Sequence, residues 1–429
     1  MTTIKISPQI LQGSVQVPSS KSMGHREIIC AALAKGVSVI DNISLSEDIL
    51  ATCSTLRALG SKIKEVESAY QGRTALLVHG GHLQAPTESL DCGESGSTLR
   101  FILPLTLLTG GAVVNGSGKL VSRPLQAYYD IFREHNIFYA TAPDGTLPLT
   151  VRGQLKAGSF TLPGDISSQF VSGLLFALPL VDGDSEIVLT SPLESQSYVT
   201  LTLECLAKYG VMVEQEQYKR FRIRGGQQYQ NKNSEVEGDF SQVAFWLAAG
   251  VLAGKIQCEG LNSVSPQGDK AIIALLTKMG GAIKWQTDQV AVAVQSTLHG
   301  TVIDASDCPD IIPILTVIAA LSTGRTEIIN AGRLRYKECD RLSAMRIELN
   351  KLGADITELS EGLVINGKAE LQGGTVSAWN DHRIAMSLAI ASIRCRQPVI
   401  IQGAESVNKS YPLFWQDFQK LGGKIETID

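Results

Sequence analysis

The sequence predicts an α/β fold built from six repeats of about 70 residues, and three observations carry that expectation. Six amphipathic segments each end at a Gly or Asn and run straight into a short β-branched stretch. Their turn residues, Gly60, Asn136, Gly210, Gly280, Gly353 and Gly422, lie 69 to 76 positions apart. Six more apolar segments keep the same period, closing at Gly36, Gly110, Gly183, Gly254, Gly324 and Gln397, 70 to 74 apart. The chain is also long and apolar enough, at 429 residues and 44% hydrophobic, to fill more than one core.

The elements follow in order from these two sets. The segments at 26–36, 99–111, 169–183, 242–254, 311–324 and 383–397 are apolar on nearly every side, and a helix of that kind is expected to be buried all round. Those at 46–60, 124–136, 198–210, 269–280, 340–353 and 412–422 keep one polar face and are expected to lie outside. Gly and Asn tolerate the left-handed backbone that closes a helix, which explains the punctuation. Each repeat then supplies one buried helix, one outer helix and several short strands. No repeat can cover its apolar face alone, so the repeats must pack on one another.

Composition excludes several classes of function. Lys and Arg number 38 against 42 Asp and Glu, a net charge of −4, so no general field would hold nucleic acid or an anionic membrane. The apolar run at 311–321 is shorter than the roughly 18 to 20 residues of a membrane span, and the N-terminus lacks a secretory pattern. The eight Cys never come close enough in sequence for a CxxC metal site, and they are read as reduced, mostly buried residues of a cytoplasmic protein. Gly116-Ser-Gly-Lys119 fails as a phosphate loop because Val113 and Leu120 stand where Gly and Ser or Thr are required. His79 and His82 have no further ligands at metal spacing and are read as part of a polar turn.

The unusual chemistry is concentrated just before the buried helices. These starts are Lys21-Ser-Met-Gly-His-Arg26, Gly93 to Arg100, Asp165-Ile-Ser-Ser-Gln169, Gly238-Asp-Phe-Ser-Gln242, Asp307-Cys-Pro-Asp310 and Asn380-Asp-His-Arg383. Their Ser, Asp and Asn are ordinary helix caps. Their cations are not ordinary. A helix N-terminus carries about half a positive charge, so Lys21, Arg26, Arg100 and Arg383 are unfavourable there unless an anion is bound. Free backbone N–H groups, a Gly and a nearby cation together describe a phosphate or carboxylate site. Ser122-Arg123-Pro124, the segment from Tyr336 to Arg341 and Lys409 add further candidates between the helices. Against this, Glu338 and Arg341 at a spacing of three also suit an exposed helical ion pair worth only tenths of a kcal/mol.

Taken together, these residues resemble the 5-enolpyruvylshikimate-3-phosphate synthase family over essentially the whole chain. The likeness rests on Lys21-Ser22 with Arg26, the Gly96 loop with Arg100, Arg123-Pro124, Ser167-Ser168-Gln169, Ser195 with Tyr198, Asp310, Lys337-Glu338 with Asp340-Arg341, Asp381-His382-Arg383 and Lys409, in that order and spacing. It implies a two-domain inside-out α/β barrel of six βαβαββ repeats, with buried helices aimed at a cleft that holds the active site. The expected domains are 19–237, and 1–18 together with 238–429, with crossings near Pro18–Ser19 and Glu237–Gly238.

The implied reaction moves the enolpyruvyl group of phosphoenolpyruvate to the 5-hydroxyl of shikimate 3-phosphate and releases phosphate, by addition and then elimination. Such chemistry needs a proton delivered to the methylene carbon, a proton taken from the hydroxyl, and cations to hold carboxylate and phosphate groups. By resemblance, Lys21, Asp310, Glu338 and His382 are the catalytic candidates. Lys21, Ser22, Arg26, Ser167, Ser168, Gln169, Ser195, Tyr198, Asp310 and Lys337 are similar to shikimate-3-phosphate contacts. Lys21, Gly96, Arg123, Gln169, Arg341, Arg383 and Lys409 resemble the phosphoenolpyruvate pocket, where planar Arg forks suit carboxylate and phosphate. A Lys among cations is expected to have a lowered pKa and a buried carboxylate a raised one.

The resemblance calls for no metal and no organic cofactor. The expected partners are the two small substrates, with no nucleic acid and no membrane, and the working unit a monomer. Glu94-Ser95, Phe101, Thr200 and Arg333 depart from the family pattern, which puts the loop before Arg100 and the fine substrate geometry in question. Gly96 is expected to leave room for the inhibitor glyphosate. Two other functions compete with this one. A UDP-N-acetylglucosamine enolpyruvyl transferase would place a Cys shortly before Arg123-Pro124, and 113–122 contains none. A non-catalytic anion-binding scaffold would have no use for Lys21, Asp310 and Glu338 together.

Overall fold

The computed structural model describes residues 2–69, 73–143 and 146–428. The chain divides into two compact units, Lys21–Val236 and a second made of residues 1–20 with 237–429. The crossings thus fall at Ser20–Lys21 and Val236–Glu237.

The unit Lys21–Val236 contains helices α1 (Lys21–Leu33), α2 (Glu47–Ala58), α3 (Gly96–Thr106), α4 (Gln126–Glu134), α5 (Ser168–Ala177) and α6 (Gln196–Lys208). The other contains α7 (Phe240–Ala253), α8 (Ala271–Lys278), α9 (Ile312–Ala320), α10 (Arg341–Lys351), α11 (His382–Ala391) and α12 (Phe414–Lys420). The odd-numbered helices are the apolar set and are buried almost throughout, whereas the even-numbered ones keep an exposed polar face. All six turn residues read from the sequence adopt left-handed backbone, from Asn136 at φ 54 to Gly60 at φ 108.

Among the described residues six four-stranded sheets accompany the helices, and all share one pattern: a parallel pair followed by two antiparallel pairs. In the first unit the orders by residue range are 234–235, 36–43, 74–80, 62–67; then 90–91, 111–115, 149–152, 138–141; then 159–162, 185–189, 220–223, 213–216. In the second they are 11–16, 254–259, 290–294, 282–287; then 302–304, 325–329, 362–366, 355–359; then 374–377, 399–402, 3–7, 424–428. The two N-terminal strands therefore complete sheets made mostly from the C-terminal half, which is why the chain must cross between units twice.

Each unit has its own core. Trp246 of α7 is fully buried, stacks on Phe414 with ring centres 5.0 Å apart and donates its Nε1 to Tyr411 Oη at 3.1 Å. Helices α3 and α5 approach so closely that a Cβ on Gly173 would sit 2.2 Å from both Arg100 O and Tyr128 Oη. The Tyr128 hydroxyl donates to Arg100 O at 2.7 Å and ties α4 to that crossing. This packing sets where Arg100 and Gln169 emerge. Among the described residues, no helix is long and apolar enough to cross a membrane.

Candidate active site

In the unit Lys21–Val236, α1 opens with Lys21, whose Nζ lies 2.6 Å from Asp48 Oδ2 on α2. One turn on, Arg26 is 2% exposed. It donates Nε to Thr202 Oγ1 at 2.9 Å, Nη1 to Ser22 O at 2.6 Å and Nη2 to Tyr198 O at 2.8 Å, all neutral oxygens, and its guanidinium lies over the Phe101 ring. With no carboxylate partner among the described residues, burial pulls its pKa down to about 10. Ser195 caps α6 in left-handed backbone, and its carbonyl accepts from Tyr198 N at 3.1 Å. His25 beside Arg26 is kept neutral, first by burial and then by Lys21 and Arg26.

A second group in the same unit forms where α3 and α5 begin. Ser95 and Ser167 cap these helices through their hydroxyls. Arg100 Nη1 donates to Gln169 Oε1 at 2.9 Å, and Gln169 Nε2 donates to Ser97 Oγ at 2.9 Å. A Cβ on Gly96 would lie 2.6 Å from Arg123 Nη1, 3.0 Å from Arg100 Nη1 and 3.7 Å from Gln169 Oε1. Gly96, Arg100, Arg123 and Gln169 therefore converge on one spot beside Ser168, the first residue of α5. The departures from the family pattern are absorbed locally. Phe101 is core, edge-on to Phe176, and Thr200 shares a hydrogen bond of 2.6 Å with Tyr218 Oη. The Glu94 carboxylate fills the space over Gly118, and Arg333 donates to Ser306 O.

The other unit gathers the remaining candidates. Asp310 Oδ1 accepts from Arg341 Nη1 at 2.9 Å and Lys337 Nζ at 3.3 Å, while its Oδ2 accepts from Arg383 Nη2 at 3.2 Å. Arg341 is 1% exposed; its Nη2 also meets Glu338 Oε2 at 2.7 Å and its Nε meets Asp381 Oδ2 at 2.8 Å. The pair Glu338–Arg341 is therefore part of a largely buried network and not an exposed ion pair. Arg383 Nη2 donates also to Ser241 Oγ at 3.1 Å, and Lys409 Nζ donates to Asn380 O at 2.7 Å. His382 Nδ1 is 3.9 Å from Asp381 Oδ1, beyond hydrogen-bond range.

These charges move one another's proton affinities. Burial pushes Asp310 up, but Arg383, Lys337 and Arg341 together hold it well below the usual carboxylate range. The expectation of a raised carboxylate thus does not hold for Asp310, because three cations outweigh desolvation. Lys337 is lowered, chiefly by burial and further by Arg341 and Arg333. Arg341 is kept firmly charged, since Asp381, Glu338 and Asp310 overcome the cost of burying it.

Reading the sequence missed four contributors. Asp48 looked like an ordinary first-turn helix residue and Thr202 like part of an outer helix, while Ser97 and Ser241 passed for helix caps. Asp48 carried one signal, an acid beside a Ser cap, but acids at helix starts are common. Gln242 reads in the sequence only as part of a helix start, yet its amide is buried with neither end bonded to any described residue.

Known proteins show the same arrangement of sequence and fold. A family model described as EPSP synthase (3-phosphoshikimate 1-carboxyvinyltransferase) matches residues 6–418. A 3-phosphoshikimate 1-carboxyvinyltransferase from Clostridium acetobutylicum is 51% identical over 426 residues, covering 99% of this chain and 98% of that protein. One from Clostridioides difficile is 45% identical, with 99% of each covered. A solved structure of EPSP synthase from Acinetobacter baumannii superposes over 100% of both chains with a TM-score of 0.82 at 26% identity. With identity at this level over the full length of both chains, this chain belongs to the EPSP synthase family.

Proposed function

We propose that the clustered residues of both units work on one pair of substrates, shikimate 3-phosphate and phosphoenolpyruvate, in the enolpyruvyl transfer of this family. The observation that carries the reading is Arg26. An Arg 2% exposed, bonded among the described residues only to neutral oxygens, is an expensive arrangement unless an anion arrives to meet it. Ser22, Arg26, Ser167, Ser168, Gln169, Ser195 and Tyr198 hold shikimate 3-phosphate, and Lys337 and Asp310 meet its hydroxyl side. Gly96, Arg123, Gln169, Arg341, Arg383 and Lys409 hold phosphoenolpyruvate, and Lys21 serves both.

The network around Asp310 suits a base that is switched on by its substrate. Arg341 and Arg383 hold Asp310 ionised but weakly basic. When a carboxylate or phosphate takes over those guanidinium groups, the charge on Asp310 is no longer neutralised and its proton affinity rises. It can then accept the proton of the 5-hydroxyl as that oxygen adds to C2 of phosphoenolpyruvate. Lys21, Glu338 and His382 are the candidates to deliver a proton to the methylene carbon and to take one back as phosphate leaves. Eight buried free thiols fit a reducing, cytoplasmic setting.

The test is phosphate release with the two substrates, with and without glyphosate, in the wild type and in Arg26→Met. The expected result is turnover that needs both substrates, with the variant losing affinity for shikimate 3-phosphate by about 100-fold (about 2.7 kcal/mol). Unchanged affinity in Arg26→Met would sink the assignment.

A further inference from the structure

Glu348 is a buried carboxylate, 1% exposed, on α10 seven residues after Arg341. Its Oε2 accepts from Ser377 N at 3.0 Å and Lys351 Nζ at 2.8 Å; its Oε1 accepts from Trp379 Nε1 at 2.7 Å and Lys351 Nζ at 3.0 Å. These partners frame the turn 377–380, in which Trp379 (φ 54) and Asn380 (φ 53) both adopt left-handed backbone. Asn tolerates that region, but a bulky side chain rarely does, and such a conformation persists only where its surroundings over-determine it. Glu348 supplies that constraint by gripping the turn through one main-chain and one indole N–H. Trp379 N adds a bond to Ser377 Oγ at 3.1 Å.

What the turn presents is the candidate site itself. The Asn380 carbonyl accepts from Lys409 Nζ, and Asp381 caps α11 while accepting from Arg341 Nε. Helix α10 thus grips the segment 377–381 twice: Arg341 at its start holds Asp381, and Glu348, about 10 Å further along the axis, holds Ser377 and Trp379. We infer that Glu348 is a positioning residue for phosphoenolpyruvate binding, acting through Trp379 and Asn380 to set Lys409, Arg341 and Arg383. The inference rests on the proposal that those three cations bind phosphoenolpyruvate.

The experiment is a double-mutant cycle with Glu348→Gln and Trp379→Phe, read as steady-state constants with each substrate varied in turn, and with Arg341→Lys as a control. A Gln oxygen can accept from only one of the two N–H donors and turns its own NH2 group towards the other. Each single variant is expected to raise KM for phosphoenolpyruvate about tenfold and KM for shikimate 3-phosphate less than threefold. The double variant should be no worse than the poorer single one, because both substitutions break one link. A lowered thermal midpoint with unchanged kinetic constants overturns the inference, and so do effects that multiply in the double variant. If Glu348→Gln is silent while Arg341→Lys raises KM, only the role of Glu348 fails. If Arg341→Lys is silent as well, the reading of the site fails with it.

Discussion

Lys21 Nζ lies 2.6 Å from Asp48 Oδ2, so the first residue of α1 is held by the first turn of α2. The carboxylate does two things: it orients the ammonium group and offsets part of the positive charge that Lys21 and Arg26 concentrate beside His25. Removing it separates orientation from charge. Asp48→Asn is expected to lower kcat by about 10- to 100-fold, about 1.4 to 2.7 kcal/mol, while KM for the two anionic substrates stays level or falls. Steady-state kinetics at low and high salt checks this; a raised KM with unchanged kcat would contradict it.

Asp310 should make acid stability depend on one group. Its folded-state pKa is depressed below the ordinary carboxylate value, so its contribution is fully present above roughly pH 4 and is lost as pH falls through the folded pKa. In that window the unfolded chain takes up a proton that the native state refuses. Asp310→Asn is expected to cost about 2 kcal/mol at pH 7, leaving Lys337, Arg341 and Arg383 less well matched. The gap between the thermal midpoints of wild type and variant should close as pH drops from 5 towards 2. A gap that stays constant over that range would refute the pairing.

Gly96→Ala should affect stability and binding in opposite directions. The residue begins α3 with ordinary helical backbone, so Ala favours the helix by up to about 1 kcal/mol. Its Cβ would meet Arg123 Nη1 at 2.6 Å, and that guanidinium must retreat. KM for phosphoenolpyruvate is expected to rise about tenfold, about 1.4 kcal/mol, with no fall in thermal midpoint. Inhibition by glyphosate is expected to weaken at least as much, as measured in the same assay.

Gly173→Ala tests the crossing of α3 and α5. The new Cβ would sit 2.2 Å from Arg100 O, a backbone atom that cannot swing aside. Urea unfolding should show a loss of about 1 to 3 kcal/mol. Gly24→Ala on α1 is the contrast: its nearest neighbour is the Ile49 Cδ1 methyl at 3.2 Å, which can give way, and its cost should stay below about 1 kcal/mol.

The residues that were legible early share a common property. Gly60, Gly210 and Gly353 could be read because a left-handed helix end restricts the residue type at that position, and that restriction is local. The apolar stretches of α7 and α9 could be read because burial on every side leaves no polar face. Lys21, Arg26, Arg100 and Arg383 stood out as cations at helix starts, where the helix dipole opposes them. The partners of these cations left no such trace, since Asp48, Thr202 and Ser241 are ordinary residues for the helices that carry them.

By itself, then, the sequence determined the six-part periodicity, which helices are buried, and which cations stand where an anion is wanted, because each of these depends on residues within one or two helical turns. Only the tertiary structure decided that Asp310 is held ionised by Arg341 and Arg383, that Arg26 finds Thr202 and Tyr198, and that Glu348 reaches the turn before Asp381. Those partners lie 29 to 176 residues apart, and their distances are set by how separate repeats pack, which no local preference encodes.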